Sequence, residues 1–216
     1  MSQEIPDELL QYSKDLYYTK KSMIFMQNDP PERIFYLKEG KVCHSYYSKE
    51  GERKIIIYIQ KGGIFGETAI LLNQKAYGIT TSATTNCLVA AFTRKTFEDI
   101  LMKDTDFLRF CLQEAAKKIR MMGSQIISLA FLTCEKRVIN SLLWFIEYAI
   151  KSKDLKEDQK EYVIRMTHQE LGELASVHRV AVTNVLNTLE KEKSIHKKAK
   201  TIIVPLDKKQ KLKQLI

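Results

Sequence analysis

Between residues 16 and 104 the apolar positions come in short runs broken by glycine turns, and from Leu108 they recur every three to four residues. The first pattern predicts β-strands and the second helix. Arg33 to Leu37 is a run of Ile, Phe, Tyr and Leu that stops at Glu39-Gly40. Lys41 to Tyr47 follows, and alternation puts Val42, His44 and Tyr46 on one face. Lys49-Glu50-Gly51 is a hairpin signal, Lys54 to Ile59 is rich in β-branched residues, and Lys61-Gly62-Gly63 closes it. Ile79 to Phe92 is a further β-rich stretch. Short strands at this spacing predict an all-β sandwich or barrel.

The helical pattern then runs through Leu108, Leu112, Ala115, Ile119, Met122, Ile126 and Leu129, a heptad seam without proline. So narrow a seam asks for a partner helix, and the reading favoured over a helix buried in one subunit is a homodimer interface along these residues. A second stripe, Ala116, Gly123, Ile127 and Ala130, lies on an adjoining face and is expected to cover the chain's own barrel. Val138 to Ile150 reads as another amphipathic helix, and Lys151 to Glu161 as a charged loop.

Met166 to Ile195 carries the chemistry. Thr167 can cap a helix over Gln169 to Ala175, with Glu170 completing a capping box. Ser176-Val177 is a short turn, and a second helix over His178 to Lys191 buries Val182, Val185, Leu186 and Leu189. A turn this short makes the helices cross steeply, as in a helix-turn-helix. Thr167 and His168 at the start of the first helix, and His178, Arg179, Val180, Thr183 and Asn184 on the second, form the DNA-facing set. Arg suits guanine, Asn adenine and Val a thymine methyl. A strand pair at Ile195–Lys198 and Thr201–Pro205 forms a wing whose Lys197, Lys198 and Lys200 suit flanking phosphates.

Charge supports that reading. The 216 residues carry a net charge of +9, and from Ser194 onward there are seven Lys and one Asp. Such an excess fits a phosphate backbone, while the last nine residues, KKQKLKQLI, read equally well as a solvated tail. A composition 44 % apolar and 28 % charged excludes disorder and fibrous repeats. No apolar run nears the ~20 residues of a membrane span. The first 30 residues lack an apolar core followed by a cleavage site, so the expected compartment is the cytoplasm. Cys43, Cys87, Cys111 and Cys134 stand apart, at no metal-ligand spacing, and read as thiols rather than ligands or disulfides.

Three blocks in order resemble the Crp–Fnr family of bacterial transcription regulators across nearly the whole chain. They are Ile34 to Leu71, with Gly40, Gly51, Gly62, Gly66 and Glu67 at the family's spacing; SLAFLTCEKRV from Ser128 to Val138; and the helix-turn-helix with a wing ending KTIIV. The recognition segment SVHRVAVTNVL is most similar to the halorespiration regulators that sense chlorinated phenols. The resemblance implies an α+β protein: an effector-sensing β-roll (a double-stranded jelly roll, 1–104), a long coiled-coil dimerisation helix (105–133) and a winged helix-turn-helix (134–216). It further implies a homodimer on an inverted-repeat operator, RNA polymerase as a partner, and allosteric control by a small molecule.

By position the resemblance lines the effector pocket with His44, Ile56, Ile59, Gly66, Glu67, Thr68, Tyr77, Gly78, Lys118, Met122 and Gly123. The cyclic-AMP-binding members carry Arg-Ser where this chain has Tyr77-Gly78, and hydroxyl residues where it has Met122-Gly123. The phosphate's fork-shaped partner is gone, and Lys118 is a poorer one. The implied effector is a small organic molecule other than cyclic AMP. No cysteine precedes Cys43, which speaks against the iron–sulfur cluster of the oxygen-sensing members. For His44, a core histidine is favoured over a haem ligand, and no cofactor is expected.

Two other classes compete. A cyclic-nucleotide-type module serving an enzyme or channel needs no base-reading helix. An enzyme needs a nucleophile–base pair, a metal set or a phosphate-cradling loop, and the sequence offers none of these. Within the regulator class, thiol oxidation without an effector is the alternative control.

Overall fold

The computed structural model describes residues 5–151 and 161–216, so residues 152–160 of the expected charged loop lie outside it. The chain begins with α1 (Asp7–Leu10), β1 (Lys14–Tyr18), β2 (Met23–Phe25), β3 (Arg33–Glu39), β4 (Lys41–Tyr47), β5 (Arg53–Gln60) and β6 (Ile64–Phe65). There follow α2 (Glu67–Leu71), β7 (Thr80–Ala83), β8 (Cys87–Thr93), α3 (Arg94–Asp99), the long α4 (Thr105–Phe131) and α5 (Cys134–Lys151). The remainder is β9 (Glu161–Arg165), α6 (His168–Ala175), α7 (Arg179–Lys191), β10 (His196–Lys198), β11 (Thr201–Pro205) and α8 (Lys209–Gln214). Two compact units result, Met1–Gly123 and Ser124–Ile216, and α4 runs through both.

The first unit is a roll of two antiparallel four-stranded sheets, ordered β1-β8-β3-β6 and β2-β7-β4-β5. β3 shows why its sequence reads as an unbroken apolar run. Phe35 and Leu37 point between the sheets, while Ile34 and Tyr36 pack with Phe92, Phe97, Phe107 and Phe110 beneath the helices. Both faces are buried, so neither can be polar. On β4, Val42 and His44 are buried, but Tyr46, expected beside them, is 48 % exposed near the hairpin end.

The stripe expected to cover the roll does not do so. Ala116, Ile127 and Ala130 are exposed, Ile127 by 61 %. The covering face of α4 is instead Phe107, Phe110, Cys111 and Met121, with Glu114 and Lys118 between them. These positions also keep helical spacing, but two charged side chains interrupt the hydrophobic signal: Glu114 pairs with Lys117 one turn along the same helix, and Lys118 with Glu67 of a separate element, a partner that helical spacing does not show.

In the second unit, α5 packs on α6, α7 and α8, with Val138, Ile139, Leu142 and Ile146 buried. The three-stranded sheet β10-β11-β9 closes it. β9 was absent from the strand pattern read above, although Tyr162, Ile164 and Met166 are buried and alternate with exposed Glu161, Val163 and Arg165. The last residues form α8, with Leu212 fully buried and Lys136 Nζ on the Ile216 carbonyl oxygen at 2.7 Å, which replaces the solvated-tail reading. Ser194, between α7 and β10, is fully buried, and its hydroxyl meets no partner among the described residues. An unsatisfied buried hydroxyl is a cost. Ser194→Ala is expected to raise stability by about 1 kcal/mol, read as a higher denaturant midpoint; a lower midpoint would contradict the burial argument.

Candidate functional site

The helix-turn-helix is assembled by local rules. The Thr167 hydroxyl accepts from the Glu170 amide at 3.1 Å, and the Glu170 carboxylate accepts from the Thr167 amide at 2.7 Å, completing the capping box. Thr167 also donates its hydroxyl to that carboxylate, at 2.8 Å, so the cap uses its whole side chain. α6 ends in a left-handed Ser176 (φ 54°), and the Val177 amide folds back onto the Gly172 carbonyl at 2.9 Å. A Cβ on Gly172 would lie 2.4 Å from the Val177 carbonyl oxygen, so only glycine admits so close a turn.

α7 buries Val182, Leu186 and Leu189 and leaves His178, Arg179, Val180 and Asn184 exposed at its N-terminal end, Val180 by 72 %. Thr183 donates to the Arg179 carbonyl at 3.0 Å, and its oxygen lies 2.9 Å from His168 Nδ1. The hydroxyl has one proton, so His168 Nδ1 is the donor of that second bond. Burial, with the charges of Lys197 and Arg179, holds His168 below the usual imidazole range. Lys198 and Lys200 are exposed on the wing. Lys197 turns away: its ammonium pairs with Glu190 at 2.9 Å. Its charge is therefore committed to α7 rather than held open beside Lys198 and Lys200.

The roll gathers only part of the expected pocket. Glu67 opens α2 after Gly66, whose positive φ (85°) and closeness to the Arg33 carbonyl oxygen, 3.0 Å from an added Cβ, both favour glycine. The Lys118 ammonium reaches the Glu67 carboxylate at 2.7 Å and the Ile64 carbonyl at 2.7 Å, which ties α4 to this turn. Both side chains are largely buried. Burial, reinforced by the Glu67 and Glu114 charges, pushes the neighbouring Cys111 thiol up to about 12, so it stays protonated.

His44 is buried, with Nδ1 2.7 Å from the Thr81 hydroxyl. Burial, with the Lys118 charge, pushes its pKa down to about 3, so the imidazole is neutral. The Tyr77 ring stacks on Phe25 at 3.9 Å between centroids and donates its hydroxyl to the Arg33 carbonyl at 2.6 Å. Phe25, Phe35 and Phe65 continue this stack and were not among the expected lining residues. Only Phe35 lay in a strand read from the sequence; Phe65 joins it as its direct partner across β3 and β6, a pairing that the folded chain alone brings about. Ile59 is buried and Ile56 partly so, while Thr68, Gly78 and Met122 are exposed and nothing lies within 4 Å of a Cβ added at Gly78 or Gly123.

At this end of the roll the Tyr77 ring and hydroxyl are both engaged, and the Lys118 ammonium carried in by α4 is paired with Glu67. Among the described residues, no group of three or more His, Cys, Asp and Glu could hold a metal ion. No described helix is long and apolar enough to cross a membrane.

Comparison with known proteins agrees with this layout. Residues 15–104 match a cyclic nucleotide-binding domain, and residues 136–215 a Crp-like helix-turn-helix domain. The chain is 26 % identical over 187 residues to the cAMP-activated global transcriptional regulator CRP of Salmonella typhimurium, covering 87 % of each. It is 27 % identical over 201 residues to the cAMP-activated regulator Vfr of Pseudomonas aeruginosa, covering 92 % of each. Its fold matches the c-di-GMP responsive regulator CLP of Xanthomonas campestris with a TM-score of 0.81 at 20 % identity, over 92 % of this chain and 97 % of that one.

Proposed function

Because the chain belongs to the Crp–Fnr family of transcription regulators, we propose that it works in the cytoplasm as a homodimer. In this reading it binds an inverted-repeat operator through α7 and is switched by a small organic effector other than cyclic AMP. Residues 1–104 sense, 105–133 dimerise and 134–216 bind DNA. The observation that carries the reading is the start of α7, where Arg179, Val180 and Asn184 project from a helix whose opposite face is buried. Exposed side chains that hydrogen-bond or contact base edges, on a rigidly packed helix, are what groove reading requires. Lys198 and Lys200 supply phosphate contacts.

The exposed stripe on α4 supports the dimer. Leu112, Ile119, Met122, Ile126 and Leu129 are 39–72 % exposed, a row that a second copy of α4 would cover. Two copies related by a two-fold axis read half-sites about one helical turn, roughly 34 Å, apart. An effector shifts such a dimer only by binding its DNA-competent state more tightly than the other.

The relatives CRP and Vfr are named for activation by cyclic AMP. Tyr77 and the Lys118–Glu67 pair support a different effector here. Cyclic AMP is expected to change neither the melting temperature nor the affinity for an operator selected from random DNA. Calorimetric binding tighter than ~10 µM, about −7 kcal/mol, would overturn this. Footprinting tests the regulator reading itself: two protected half-sites are expected, and a single asymmetric one would contradict it.

A further inference from the structure

The base-reading side chains of α7 are aimed by the turn that precedes them, and one residue outside the helix-turn-helix holds that turn. Arg137 lies in the first turn of α5. Its Nε donates to the Ala175 carbonyl at 3.1 Å and its Nη2 to the Ser176 carbonyl at 3.1 Å. Its Nη1 donates to the Leu132 carbonyl at 3.3 Å, and Nη2 also contacts Cys134 Sγ at 3.3 Å. The guanidinium thus joins two backbone segments: the residue that follows α4, and the end of α6.

The chemistry of the acceptors explains why a cation sits there. Ala175 and Ser176 end α6, where carbonyls have no intrahelical donors and the helix dipole is negative. The chain at Ser176 is left-handed, a conformation a non-glycine residue adopts only when its surroundings impose it. Two guanidinium bonds to consecutive carbonyls impose it. This turn sets the crossing of α6 and α7, and so the direction in which Arg179, Val180 and Asn184 project. Lysine cannot replace the fork, because its ammonium is a single point and cannot span three backbone carbonyls in a fixed plane.

We infer that Arg137 is a positioning residue for base reading: it fixes the α6–α7 turn against the chain that leaves α4, without itself touching DNA. The inference rests on the base-reading role assigned to α7 above. It implies that Arg137 acts on the discrimination between sequences rather than on the affinity for DNA as such.

The test uses the full chain and a DNA duplex enriched from a random library by the wild-type protein. Arg137→Lys keeps the charge and loses the fork. Its ratio of affinities for the enriched duplex and for random DNA is expected to fall about tenfold, equivalent to one misdirected base contact. Affinity for random DNA and its salt slope should stay within about twofold. An unchanged ratio overturns the inference. So does an equal loss on both DNAs accompanied by a lower melting temperature, which marks a merely structural role. Should Arg137→Lys fail to fold, Ser176→Gly is added to relax the left-handed turn, and the doubly substituted chain should still show the lowered ratio. If the wild-type protein enriches no sequence at all, the base-reading role of α7 fails first, and this inference falls with it; that outcome is visible before any variant is made.

Discussion

Replacing Ile119 and Met122 with Asp is expected to leave the protein monomeric at micromolar concentration. Ile119 is 65 % exposed and Met122 39 % exposed on the chain itself, so the substitutions cost far less inside one subunit than in the seam. In a parallel pair of α4 helices they face their own copies. Four apolar side chains then leave the seam. At about 1.5 kcal/mol for each, the loss is about 6 kcal/mol, on the order of 10⁴ in the dimer Kd. Four carboxylates brought together out of water weaken it further. Sedimentation equilibrium should show a dimer for the native chain and a folded monomer for the variant, whose melting temperature is lower and no longer depends on protein concentration. Operator affinity should fall with it, since the second half-site is no longer bound within the same molecule. A native chain that sediments as a monomer would end the dimer reading.

The second large effect separates base reading from phosphate holding. Arg179 is exposed at the first position of α7, and Lys198 is exposed on the wing. An Arg–guanine contact is worth about 1–3 kcal/mol of discrimination. Arg179→Ala should therefore flatten the preference at one base pair in each half-site and spare much of the non-specific binding. Lys198→Ala should lower affinity for all sequences alike and reduce the salt slope by about one unit per subunit. Selection from a random operator library reads both. Unchanged preference at every position in Arg179→Ala would make that residue a phosphate or structural contact, and specificity would then rest on Val180, Asn184 or DNA shape. Lys197→Ala makes an internal comparison, because its ammonium is already paired with Glu190 and should contribute less to the salt slope than Lys198.

Where the sequence reading and the structure agree, the signals were local. The capping box at Thr167–Glu170, the turn at Ser176-Val177 and the row Val182, Leu186 and Leu189, with Val185 only partly buried beside it, each involve residues within a turn or two of one another. Periodicity and capping chemistry report such features directly, and the exposed row on α4 was legible for the same reason. The family resemblance, rather than any pattern in the chain, singled out Tyr77 as a departure. What Tyr77 does there was decided by the tertiary structure, because its stacking partner Phe25 and its acceptor at Arg33 lie in other elements.

The remaining features depend on distant partners. Lys118 lies inside the face of α4 that covers the roll only because Glu67, from a separate helix, neutralises it, and no pattern along α4 contains that fact. Lys197 reads as an open cation until Glu190 is seen to hold it. β9 becomes a strand by pairing with β11 across the whole helix-turn-helix. Arg137 has no distinguishing neighbour in the sequence; its acceptors are backbone carbonyls, which every residue possesses. Apolar burial repeats along an element and is written into its sequence. Charge neutralisation and hydrogen bonding to the backbone are satisfied across elements, and only the folded chain brings those partners together.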